Sequence, residues 1–217
     1  NTTQGAGVIV AVVDTGVDYS HADIAANIYQ NVGEVGVDAM GRDKRTNGVD
    51  DDGNGYVDDW HGYNFASGSP QAPSDPMDDF GHGTHVAGTI AAVGNNAAGI
   101  VGVAPAAKIM PLKGLGANGS GSEADLAAAI YYAARNGAKI INASWGVAVT
   151  GLDQTLIDAV NYAHDNYGVL FVASSGNSGV DMGSEALPAS AAFYPAAALN
   201  AMAVGATTTF APTASAQ

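Results

Sequence analysis

The stretch GHGTHVAG, residues 81–88, sets His82 and His85 three positions apart at the head of a run of small residues. Two histidines so placed offer either two ligands to one metal ion, or one catalytic base beside one structural residue. A metal-binding pair on a helix is usually spaced four apart with a glutamate beside the first histidine, and this stretch has neither feature. A general base needs a single imidazole at an accessible position. His82, at a helix start after the flexible Gly81, fits that role, and His85, one turn on, is expected to be a buried, hydrogen-bonded core residue. Asp14, in VAVVDTGVD (10–18), ends an apolar run. A carboxylate there either orients a histidine and stabilises its imidazolium or makes an Asx-turn. In FVASSGNSG (171–179) the side-chain amide of Asn177 is suited to donate to an oxyanion, while Gly176 lets a substrate approach. Clusters of Asn, Gly and Ser are also ordinary turns.

These residues need elements to hold them. VIVAVV (8–13), AKIMPLK (107–113), KIINAS (139–144), VLFVAS (169–174) and AMAVGA (201–206) read as strands. Near-continuous apolar runs of this kind suit a parallel sheet covered on both faces. Helical patterns alternate with them. In 122–137, Ser122 is placed to cap a helix, with Asp125 three residues on and Gly137 as a stop. In 152–168, Leu156, Val160 and Ala163 share a stripe that ends at Gly168. GTHVAGTIAAVG (83–94) reads as a tightly packed small-residue helix. The alternation predicts an α/β fold, a doubly wound, mostly parallel β-sheet with helices on both faces. Working residues in such sheets sit at the carboxyl ends of strands, where Asp14 and Asn177 fall. Residues 33–79, rich in Asp, Gly, Asn and Pro, break the pattern and form a long loop that something must hold.

The 217 residues suit a single domain, 1–217, that buries roughly 70–75% of its extended-chain surface. The formal net charge is −14, and the seven Lys and Arg are scattered, which argues against nucleic acid as a partner. The chain has no cysteine, which excludes disulfides, thiolate catalysis and Cys-zinc sites. No apolar run approaches the ~20 residues of a membrane span. Residues 1–7 lack a signal-peptide pattern and there is no initiator Met, so a processed or partial chain is expected.

Taken together, VAVVDTGVD, GHGTHVAG and VASSGN resemble, in order and spacing, the motifs of the subtilases, the subtilisin-type serine endopeptidases. The resemblance runs from about residue 5 to about residue 207. It implies Asp14 as the orienting acid, His82 as the general base and Asn177 as the oxyanion donor. ANGSGSEAD (117–125) resembles the family's substrate-binding edge, so Gly119, Ser120 and Gly121 are expected to pair with an extended peptide in β-fashion. NASWG (142–146) resembles the opposite edge, with Ser144, Trp145 and Gly146 lining the primary specificity pocket of a broad, apolar-leaning enzyme. The family's nucleophile lies in a GTSMA-like segment, and none occurs here. By family spacing it falls beyond Gln217, so the sequence reads as C-terminally truncated, and the family's N-terminal segment is also absent. Ser174 and Ser175 precede the oxyanion Asn and are not expected to replace the nucleophile. Three readings stay open: the larger piece of a nicked protease whose C-terminal fragment carries the Ser, a truncated product, or a non-catalytic relative.

NGVDDDGNGYVDDW (47–60) carries a second chemistry. Asp50, Asp52 and Asn54 alternate, Gly55 permits a sharp turn and Tyr56 offers its carbonyl, which follows positions 1, 3, 5, 6 and 7 of a calcium loop. His61 stands where a bidentate Glu would close the loop, so Asp58 or Asp59 is expected to supply the closing ligand. The bland alternative is a solvated acidic loop. VGNNAAGIVGVAP (93–105) resembles another calcium loop of the family. There Gly94, Ala98 and Ile100 would give carbonyls, Asn96 its side chain and Asp23 a carboxylate. The expectation is a secreted, calcium-stabilised serine endopeptidase acting on extended peptides. The rivals are an inactive peptide- or calcium-binding module and a metal hydrolase built on His82 and His85.

Overall fold

The structure is a computed structural model that describes residues 3–149, 152–177 and 192–206. Six strands form one parallel sheet. They are β1 (Ile9–Asp14), β2 (Tyr63–Asn64), β3 (Lys108–Lys113), β4 (Ile140–Ala143), β6 (Leu170–Ser174) and β8 (Ala201–Val204), in the order β2-β3-β1-β4-β6-β8. The chain belongs to the α/β class that the alternating pattern predicts. Residues 10–14 of β1 are all buried, because both faces of the sheet are covered. On one face α1 (His82–Ala91) packs Ala87 and Ala91 against Val10, Val12 and Ile109. On the other, α2 (Glu123–Arg135) and α3 (Gln154–Tyr167) enclose Ala11, Val13, Met110, Ile130, Ile141, Leu156 and Phe171.

The helix boundaries follow local chemistry. Ser122 accepts the Asp125 N–H at 3.1 Å and so caps α2. Asp153 caps α3 by accepting from Leu156 N. Gly168 ends α3 with φ 64°, a left-handed conformation that favours glycine. Three strands are not expected from the sequence: β2 lies inside the segment 33–79 read as loop and adds to the edge of the sheet beside β3, while β5 (Val147–Val149) and β7 (Ala192–Tyr194) pair antiparallel beyond the carboxyl end of β4.

The long loop of residues 33–79 is folded down by its own side chains. Asp59, fully buried, accepts from Asn31 at 2.9 Å, Asn54 at 2.9 Å and the Tyr132 hydroxyl at 2.5 Å. Tyr56 and Phe65 pack edgewise on Tyr132, and Tyr63 stacks on it while meeting Tyr56 edgewise. Asp125 of α2 holds Ser67 by both its N–H and its hydroxyl. Because β1, β3, β4 and β6 run parallel, their carboxyl ends share one edge of the sheet, and Asp14, Lys113, Ser144 and Ser175 lie there.

Candidate active site

The last residue of β1 and the first of α1 meet at this edge. Asp14 Oδ1 lies 2.7 Å from His82 Nδ1 and accepts the Thr15 N–H at 2.7 Å. Asp14 is fully buried, and its Oδ2 has no hydrogen-bond partner. Burial pushes its carboxyl above the ordinary range, a rise that the bonds from His82 and Thr15 only partly offset. The His82 side chain is 44% exposed, so a buried acid holds one ring nitrogen of a base that still reaches solvent. The close approach requires Gly83: a Cβ there would lie 2.0 Å from the Gly16 carbonyl oxygen.

The start of α1 is fixed from outside the helix. Gly81, its N-cap, has no side chain to accept an orphan N–H. Asp78 takes that part, accepting the Thr84 N–H at 2.9 Å and the Gly81 N–H at 2.8 Å. Thr15 accepts the Gly83 N–H at 3.0 Å and donates its hydroxyl to Asp78 at 2.8 Å. Acid and base are therefore tied through one threonine. Burial pushes the Asp78 carboxyl up, but the bonds from Thr84, Gly81 and Phe80 outweigh it and hold it below the usual range. His85 corrects the sequence reading, because it is exposed and not a core residue. Gly83, Ala87 and Ala91 turn one stripe of α1 onto the sheet, and position 85 lies on the opposite side. His82 Nδ1 is taken by Asp14, which favours acid–base use over a His82–His85 metal pair.

The other predicted residues follow strands at the same edge of the sheet. Asn177, exposed, follows β6 at the same edge. Ser144, Trp145 and Gly146 follow β4, and the Trp145 indole donates to the Val13 carbonyl at 2.7 Å. Gly119, Ser120 and Gly121 lie in the loop between β3 and α2, where Ser120 O accepts from Gly116 N. Two residues that motif reading missed stand among them. Phe80, 55% exposed, rests its ring against Gly119. The Phe193 ring packs on Gly146 and Gly176. No described serine hydroxyl is hydrogen-bonded to His82.

Comparison with known proteins decides the family. A model described as the subtilase family matches residues 5–217. The chain belongs to the subtilase family. It is 38% identical over 205 residues to a protein called "Thermophilic serine proteinase" of Bacillus sp. (strain AK1), covering 94% of this chain and 39% of that relative. It is 47% identical over 146 residues to "Subtilisin Savinase" of Lederbergia lenta, covering 66% of this chain and 49% of the relative. Among solved structures, "S41 Psychrophilic Protease" matches with a TM-score of 0.66 and 34% identity, over 92% of this chain and 53% of its own. "Sphericase" matches with the same TM-score and 35% identity, over 93% and 54%. The chain thus spans about half the length of these relatives, or less.

In this subtilase the acidic loop gathers oxygens around a residue absent from the motif. Glu34, fully buried, stands with Asp50 and Asp52 so that one carboxylate oxygen of each lies within 4.8 Å of the others. Glu34 Oε1 accepts the Asp51 N–H at 2.6 Å, and Oε2 is buried with no partner. Burial pushes the Glu34 carboxyl up. Burial also pushes Asp50 up, but the N–H groups of Gly55, Gly53 and Asn54 outweigh it and hold its carboxyl low. Three more of the predicted ligands accept hydrogen bonds within the loop and its surroundings. Asp59 spends both oxygens on Asn31, Asn54 and Tyr132, Asp58 accepts from Gly48 N, and Asn54 Oδ1 accepts from Tyr56 N. In the second loop, Asp23 accepts from Asn96 Nδ2 at 2.7 Å and from Ile100 N at 2.8 Å. Gly94 and Ala98 lie on the same loop, which Asp23 holds through Asn96 and Ile100.

Proposed function

We propose that the chain provides the acid–base half of a secreted, calcium-stabilised serine endopeptidase. The observation that carries this reading is the 2.7 Å contact between the buried Asp14 carboxylate and the exposed His82 imidazole. Asp14 on Nδ1 leaves Nε2 to take the proton of a serine hydroxyl, and the buried carboxylate stabilises the imidazolium that forms. The serine is expected on a segment outside these 217 residues. Asn177, following β6, would donate to the oxyanion of the tetrahedral intermediate. An extended peptide would run between Gly119–Gly121 and Ser144–Gly146. Calcium suits the hard oxygens of Glu34, Asp50 and Asp52, since the unpartnered Oε2 of Glu34 is the kind of buried charge a cation would satisfy.

A second reading, an inactive module that binds peptide or calcium, is favoured by the lack of any described serine hydrogen-bonded to His82. One experiment separates the two. Purified native protein is treated with a phosphonylating serine reagent, assayed for hydrolysis of a denatured protein, and weighed intact under denaturing conditions. Labelling of a serine outside the 217 residues, abolished by His82→Ala, supports the protease. A homogeneous 21.6 kDa species that neither labels nor cleaves supports the module.

A further inference from the structure

The carboxyl edge of the sheet also holds a lysine with no access to solvent. Lys113 closes β3 as the register partner of Asp14, and its side chain is 0% exposed. Its ammonium donates to the Thr15 carbonyl at 2.6 Å and to the Asp79 carboxylate at 2.6 Å. The other oxygen of Asp79 accepts from the Gln71 side-chain amide at 3.0 Å. Taking an ammonium out of water is costly, and an apolar residue of similar length can fill such a space at no electrostatic cost. What the ammonium adds is direction, because it donates to two acceptors on two separate segments. One segment is the turn after Asp14, and the other is the loop that leads into His82.

We propose that the ion pair between the buried Lys113 and the partly exposed Asp79 is a positioning device for the Asp14–His82 couple. It clamps the turn that follows the acid to the loop that delivers the base, and so keeps the two side chains in contact. Its functional meaning rests on the reading of that couple as catalytic. Thr15 is where the clamp acts. Its N–H is on Asp14 Oδ1, its hydroxyl joins Asp78 to Gly83, and its carbonyl is held by Lys113. Thr15 is 1% exposed, so a lost donor at its carbonyl is not replaced by bulk water, and the turn must shift to recover a hydrogen bond. The neighbouring Val17 N–H, bonded to the Pro76 carbonyl at 3.0 Å, joins the same two segments by backbone alone. Charged groups at this edge are Asp14, Asp78, Asp79, Lys113 and His82, and Lys113 is the one buried cation among the described residues; its partner Asp79 is 20% exposed.

The test uses the complete native protein with ¹⁵N-labelled histidine, the Nδ1–H resonance of His82 being assigned by its disappearance in His82→Gln. Lys113→Met, Asp79→Asn and the double variant are compared with Leu156→Ala, a core truncation in α3 that controls for instability alone. Loss of the low-field Nδ1–H resonance in folded Lys113 and Asp79 variants, with retention in Leu156→Ala, is the expected result. Should a single variant fail to fold, the double leaves neither charge unpaired and carries the test. An unshifted resonance in the folded double variant, or equal loss in Leu156→Ala, overturns the proposal. Absence of the resonance from the parent chain overturns the Asp14–His82 couple itself, and the clamp with it.

Discussion

Between the carboxyl ends of β4 and β6, the Phe193 ring lies so close to Gly146 that a Cβ there would stand 2.2 Å from its Cε1, and a Cβ at Gly176 would stand 3.3 Å from its Cζ. The ring occupies space beside the residues that family resemblance assigns to the primary pocket, and this argues for a narrower pocket than a broad, apolar-leaning one. Under the proposed function, peptides with Ala or Ser before the scissile bond should be cleaved in preference to those with Phe or Leu. Phe193→Gly removes the ring, and should raise kcat/KM for Phe relative to Ala at least about tenfold, since even one methylene in such a pocket is worth roughly 10- to 200-fold. Chromogenic peptides differing only at that residue, assayed on the complete protein, would show it. An unchanged ratio means the ring stands clear of the substrate. Asn177 yields a separate expectation: Asn177→Ala should lower turnover by about 10²- to 10³-fold with little change in KM, the size already known for removing one such donor from a subtilisin.

At the scale of elements, the loop of residues 33–79 carries the calcium reading. Glu34 closes the oxygen cluster from a short turn well before the Asp50–Asp59 motif. If a cation binds there, free calcium at a hundredfold excess over its Kd should stabilise the fold by about 2.7 kcal/mol. Thermal melts in calcium and in a calcium-selective chelator should therefore separate for the parent chain and coincide for Glu34→Gln. Equal separation in both would place the ion elsewhere. No motif spacing could have found Glu34, because the chain brings it to Asp50 and Asp52 through tertiary hydrogen bonds, from Asn31 to Asp52 and Asp59 and from Asp51 N to Glu34 itself. By contrast, β1, β3, β4 and β6 were legible because buried parallel strands are continuous apolar runs, β8 because it carries such a run although it is largely exposed, and α2 and α3 because Ser122, Gly137 and Gly168 punctuate them. The pair β5 and β7 was not legible, since three-residue strands carry no periodicity. His85 was misplaced for want of a check already in the sequence: Gly83, Ala87 and Ala91 mark the buried stripe and leave residue 85 outside it.

Across the whole molecule, burial sets ionisable groups against one another. It raises Asp14, Glu34 and Asp59 above their ordinary values and depresses His61 to about 4. His61 is 2% exposed, stacked on Trp60 at 3.7 Å and edge-on to Tyr19, and neither ring nitrogen has a hydrogen-bond partner. Desolvation dominates there, and the Asp75 charge offsets it only in part. A depressed folded value means that the unfolded chain binds the proton more readily. The stability His61 allows is fully present above about 6.5 and is lost as pH falls towards 4, by roughly 3 kcal/mol over that window. The raised carboxyls act with the opposite sign, because the folded chain takes up their protons more readily and gains stability as they titrate. The net acid response of the parent therefore mixes the two. His61→Phe keeps an aromatic ring beside Trp60 and removes only the imidazole, so the difference between variant and parent isolates it. Urea unfolding should show that difference growing by about 3 kcal/mol in favour of His61→Phe between pH 7.5 and pH 4. A difference flat with pH would mean that His61 finds a proton-sharing partner when charged, and that the Trp60–Tyr19 pocket is wetter than its packing implies.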